Sequence, residues 1–148
     1  MGIAALISWL ITASGGLYML VIWLIENEPS DKVVTASRLP LPVVCGHALL
    51  AVGGLAVWIA YLLLDRASLA WASVAILATA ALLGSTMLAR WIPVYRAPVA
   101  TNGPPGAADM LAVPAERNFP VFVVLGHGVL GVTTFALVLL TALGVGGS

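Results

Sequence analysis

Apolar residues run almost without interruption through four stretches, roughly Ile3–Ile25, Leu41–Leu64, Leu69–Ala89 and Phe119–Leu143, and the polar residues gather between them. Each stretch reaches or exceeds the ~20 residues a helix needs to cross ~30 Å of hydrocarbon. The pattern predicts four membrane-spanning helices. Asp65-Arg66-Ala67-Ser68 is a tight turn, with Ser68 placed to cap the third helix, and it makes helices two and three antiparallel neighbours. The first connection, Glu26–Pro40, is broken by Pro29 and Pro40. The third, Arg90–Asn118, holds Pro93, Pro98, Pro104, Pro105 and Pro114 and the turn cluster Asn102-Gly103-Pro104-Pro105-Gly106, so it reads as an irregular loop, with Asn118 as the N-cap of helix four.

The spans carry a repeat. Gly16-x-x-Met19-Leu20-x-x-Trp23 recurs as Gly84-x-x-Met87-Leu88-x-x-Trp91, and Val44-x-Gly46-His47-x-x-Leu50-x-Val52-x-x-x-Ala56 recurs as Val124-x-Gly126-His127-x-x-Leu130-x-Val132-x-x-x-Ala136. The fold class that follows is all-α, an integral membrane four-helix bundle built from two parallel helix-pair repeats. Residues 1–148 form one membrane domain, with repeat one over about 1–64, repeat two over about 69–148 and a cytoplasmic loop over about 90–118. Parallel repeats place a shared site on their pseudo-twofold axis, so the two histidines are expected to face one central place.

Composition agrees with the pattern. The 148 residues are 61% hydrophobic and 8% charged, with a mean hydropathy of +1.10, against about one quarter charged in soluble domains. All Asp, Glu, Lys and Arg residues fall between or at the edges of the spans. Lys32, Arg38, Arg90, Arg96 and Arg117 lie in or beside the first and third connections and only Arg66 lies in the second, which places both termini outside. No basic n-region precedes the first span and no small-x-small site follows it, so that helix is expected to be retained. Trp9, Trp58 and Trp71 are expected at the outer interface, Trp23 and Trp91 at the inner one. Zero net charge and the lack of a basic cluster argue against a nucleic-acid partner. The texture, rich in Ala, Val, Leu and Gly, resembles small uncharacterised membrane proteins of actinobacteria and implies a bacterial plasma membrane.

The candidate chemistry lies inside the spans. At ~1.5 Å per residue, His47 is about 9 Å and His127 about 10 Å inside the cytoplasmic ends of helices two and four. Both share one layer. In an up-down-up-down bundle those helices are diagonal and can point their imidazoles at each other. Met19 and Met87 lie at similar depth, and Gly16, Met19 and Trp23 share one helical face, as do Gly84, Met87 and Trp91. Haem iron takes two axial imidazoles on opposite faces of a wide planar ring, and helices at the ring edge must carry little bulk. Gly46 and Ala48 flank His47, Gly126 and Gly128 flank His127, and Gly15, Gly16, Gly84 and Gly131 offer further clearance. Haem propionates need cations at the cytoplasmic edge, where Lys32, Arg38, Arg90 and Arg96 are candidates.

Histidines on helices two and four with glycines at matching depth on one and three resemble the four-helix transmembrane b-type cytochromes, in which one bundle clamps a haem between diagonal helices. The resemblance covers the four spans and implies one haem b per chain. No Cys-x-x-Cys-His occurs, so attachment would be non-covalent. The implied role is one-electron transfer, with a quinone and a redox partner subunit as counterparts, rather than stand-alone enzyme activity.

Two other readings compete. A neutral histidine can hydrogen-bond across helices, making the chain a cofactor-free assembly or accessory subunit of a larger membrane complex; glycines along the helices could then be packing faces, including for a homo-oligomer. Two imidazoles with the thioethers of Met19 and Met87 instead suit Cu(I), although methionine in an apolar helix is ordinarily packing filler. Cys45 points about 200° around the helix from His47 and reads as filler. No carboxylate lies inside the spans, and no phosphate-binding glycine loop or catalytic triad can be assembled.

Overall fold

The computed structural model describes residues 1–26, 37–97 and 114–145. Four helices form the bundle: α1 (Gly2–Glu26), α2 (Leu41–Leu64), α3 (Ala67–Arg96) and α4 (Val121–Ala142), with a short 3-10 helix, Ala115–Asn118, before α4. All four are long and apolar enough to cross a membrane. The turn cluster at Asn102–Gly106, together with Pro29, Lys32, Pro98, Pro104 and Pro105, lies outside the described residues.

Helix boundaries differ from expectation where local chemistry outweighs hydropathy. The third helix runs seven residues past Ala89 to Arg96, taking in Arg90 and Pro93. Proline removes one helical N–H, yet the helix continues, closed by an Ala97 N–H bond to the Pro93 carbonyl. Trp91, 5% exposed, anchors this last stretch by donating from Nε1 to the Glu116 carbonyl at 3.0 Å and stacking on Tyr95 with ring centres 5.0 Å apart. Ser68 does not cap α3, whose N-cap is Arg66, without a side-chain cap bond. The turn is closed instead by Asp65 in the left-handed region, φ 48°, its N–H bonded to the Tyr61 carbonyl. Nor does Asn118 cap α4. Pro40 and Pro120 hold the N-cap positions of α2 and α4, with nearly identical backbone angles, and their fixed φ is pre-set for helix entry.

Packing arranges the helices in a ring. α2 lies mainly along α3 and α1 along α4, the α1–α2 and α3–α4 contacts are lighter, and the backbones of α1 and α3, and of α2 and α4, stay apart across the diagonals. The histidine-bearing helices are therefore diagonal. Two buried clusters hold the ring. At the end with the chain termini and the tight turn, Ala5, Trp9, Trp58, Ala70, Leu77 and Val138 pack together. At the opposite end, which carries the two longer connections, Trp23, Leu39, Val44, Trp91, Ala115 and Phe119 do the same, with Met19 and Met87 against them. Trp9 and Trp58 thus stand toward one end and Trp23 and Trp91 toward the other, all four facing the core, while Trp71 is exposed. Indole is the largest apolar body available, and a bundle of Ala, Gly and Val needs such bodies to fill its ends.

Candidate cofactor site

Between the two clusters lies a layer of different character. From Leu10 to Ile22 on α1, Cys45 to Gly53 on α2, Ala81 to Arg90 on α3 and Val121 to Thr133 on α4, no side chain is fully buried. Protein interiors are ordinarily close-packed. Here His47, His127, Gly16 and Gly84 are all only half-buried, so the bundle is not closed around the rings.

Each imidazole is held the same way. His47 Nδ1 lies 2.8 Å from the Ala80 carbonyl on α3, and His127 Nδ1 lies 2.9 Å from the Thr12 carbonyl on α1. A carbonyl can only accept, so in both rings Nδ1 carries a hydrogen, and in the neutral imidazole Nε2 is left with its lone pair. Among the described residues neither Nε2 has a hydrogen-bond partner. The accepting residues stand four before Gly84 and Gly16, and this spacing explains the glycines. A helical carbonyl points toward residue i+4, so a side chain there would cover it. A Cβ on Gly16 would lie 3.0 Å from His127 Cε1, and one on Gly84 would lie 3.1 Å from His47 Cε1. These glycines let the rings reach the backbone of the neighbouring helix.

The rings meet across the diagonal, their centres 6.1 Å apart and their planes at 64°. Two imidazoles bound end-on to one metal ion at about 2.0–2.1 Å each have centres about 6 Å apart. The 6.1 Å between the two rings is close to that figure.

Other candidates are placed less centrally. Gly46 faces Leu83 Cδ1 at 3.4 Å, Gly131 reaches the Thr12 methyl at 4.0 Å, and the Cβ direction of Gly126 is open; beyond its own chain neighbours, none of the three meets a ring. Met19 and Met87 pack against the neighbouring apolar cluster. Arg90 lies on α3 about 9 Å beyond Gly84, exposed, its Nη1 donating to the Arg38 carbonyl at 3.2 Å. With Ser37, Arg38, Pro40, Ala89 and Pro93 it lines an open groove of about 540 Å³. Cys45 is exposed and away from the site. Among the described residues no three His, Cys, Asp or Glu side chains converge as a metal-binding group.

Searches against protein-family models, curated proteins and solved structures return no match for this chain.

Two polar features carry little signal in the sequence. Ser8 and Thr134 share a buried hydroxyl bond at 2.8 Å, with Thr12 Oγ1 3.3 Å from Thr134, joining α1 to α4 one to two turns from His127. Glu116 is fully buried at the end of the bundle nearer the histidines. Scattered hydroxyls in apolar helices carry no distinguishing spacing. Glu116 could have been suspected from its place just before a helix entry.

Proposed function

We propose that this chain is a membrane b-type haem protein for one-electron transfer, with a single non-covalent haem between His47 and His127. The observation that carries the reading is the pair of imidazoles 6.1 Å apart, each with Nδ1 tied to a backbone carbonyl. Metal-ligating histidines characteristically donate their second nitrogen in this way, which fixes the tautomer and orients the ring. Haem bound there would supply reversible one-electron chemistry. The chain's own residues perform the rest. Thr12 and Ala80 aim the rings, Gly16 and Gly84 admit them to the helix backbones, and the tryptophan clusters at either end keep bulk water from the layer. Arg90 and Arg38 stand at the depth suited to propionate carboxylates. Met19 and Met87 would pack nearby rather than ligate.

Matching contacts also support two parallel helix pairs: Thr12 and Gly16 stand to His127 as Ala80 and Gly84 stand to His47. The site lies toward one end of the bundle, so electron passage across the membrane requires a partner, a quinone or a redox subunit. A bacterial plasma membrane with both termini outside is the setting proposed.

The test is the visible spectrum of the purified protein made with haem supplied. The expected result is a Soret band with sharp reduced α and β bands, lost in His47→Ala and in His127→Ala. A folded, colourless protein overturns the reading. A second reading draws on the same bonds, because an imidazole bonded to a neighbouring helix also serves to join helices. The chain would then be a cofactor-free subunit of a larger membrane complex, and the same substitutions would change assembly with no absorbance to lose.

A further inference from the structure

Glu116 has no part in the site described above, yet it is the only fully buried charged residue among those described. Its Oε1 accepts from the Arg38 backbone N–H at 2.7 Å and its Oε2 from the Ser37 hydroxyl at 3.0 Å. Ser37 Oγ also accepts from Trp23 Nε1 at 2.9 Å and from the Leu39 N–H at 3.1 Å. That hydroxyl thereby uses its one donor and both lone pairs, so its hydrogen is directed to the carboxylate. The Glu116 carbonyl takes Trp91 Nε1. One residue thus gathers α1, the entry to α2, α3 and the entry to α4.

The connection matters because of what it joins. Segment 37–39 leads through Pro40 into the helix carrying His47, and segment 116–119 leads through Pro120 into the helix carrying His127. Those two helices are diagonal and their backbones do not approach each other closely. Among the described residues, the Glu116 carboxylate makes the only hydrogen bonds between the segments that launch them, and the two prolines are stiff joints that pass a displacement on.

We propose that Glu116 is a positioning residue that sets the separation of the two histidine helices. Its importance for cofactor binding rests on the haem reading; the spacing itself does not.

The experiment measures spacing and coordination separately. Spin labels are placed at the exposed positions Leu41 and Phe122 by cysteine substitution in full-length protein with Cys45→Ser, and their distance distribution is read by pulsed electron paramagnetic resonance without haem. The expected result is a narrow distribution in the parent, broadened or shifted by several ångströms in Glu116→Ala, and an intermediate change in Glu116→Gln, which keeps one acceptor. Trp91→Phe removes a bond to the same residue while leaving the carboxylate link, and should leave the distance unchanged. If Glu116→Ala fails to fold, Glu116→Gln against Trp91→Phe decides. Haem-loaded Glu116→Ala should shift from six-coordinate low-spin toward five-coordinate high-spin absorption. Unchanged distances in the Glu116 variants, or an equal change in Trp91→Phe, overturn the proposal. A colourless parent whose distance still depends on Glu116 overturns the haem reading and upholds the spacing role.

Discussion

The histidine rings press on the bare backbones of Gly16 and Gly84, and there a single methyl group has leverage. Gly84→Val adds bulk at a point already 3.1 Å from His47 Cε1. Overpacking costs about 1–3 kcal/mol, which on the haem reading should lower haem occupancy by roughly tenfold, read as Soret absorbance per protein. Gly16→Val should act equally on His127, whereas Gly126→Ala, facing open space, should leave the spectrum intact. An effect of Gly126→Ala matching that of Gly84→Val would contradict this placement. The histidines and these two glycines were legible in the sequence because polar residues are scarce in the spans and both pairs recur in register. Their partners were not, since the acceptors are backbone carbonyls, which any residue supplies. Glu116 was hidden for the opposite reason: hydropathy consigns a carboxylate to a loop and says nothing of whether it folds back under the bundle.

Among the helices, a tight three-way junction lies away from the histidines. A Cβ on Gly54 of α2 would be 2.9 Å from Ile76 Cγ2 on α3 and 3.0 Å from Trp9 Cζ2 on α1, so this glycine sets how closely three helices approach. Gly54→Leu should destabilise the bundle by about 1–3 kcal/mol, measured as a lowered unfolding midpoint in detergent, while leaving the haem bands unshifted below the transition. Ser8→Ala, removing one buried interhelical hydroxyl bond, should cost only about 0.6 kcal/mol. A larger loss for Ser8→Ala than for Gly54→Leu would mean that hydroxyl bonding, not close approach, governs helix association. The four spans were readable from hydropathy, whose signal is strong over twenty residues. The extension of α3 through Arg90 and Pro93 was not, because a charge and a proline ordinarily mark an end. Here Trp91, bonded to Glu116 and stacked on Tyr95, holds the helix together beyond the apolar stretch.

For the whole molecule, the proposed orientation can be checked with a membrane-impermeant thiol reagent on intact cells in a Cys45→Ser background. Ser68→Cys, at the exposed tight turn, should be labelled directly, and Asn118→Cys only after permeabilisation. The reverse pattern would invert the assignment and turn the histidine layer toward the outer leaflet. The ring order has a consequence in time. As the chain is made, α2 and α3 emerge in succession and can pair at once, but α1 finds its principal neighbour only in α4. Of the four, the helix made earliest is thus the last to be fully packed. The bond from His127 to the Thr12 carbonyl spans 115 residues of chain, so a nascent protein interrupted before α4 has one imidazole and half a cradle. On the haem reading, cofactor capture would wait for α4, and a chain halted before it would not sequester a reactive group.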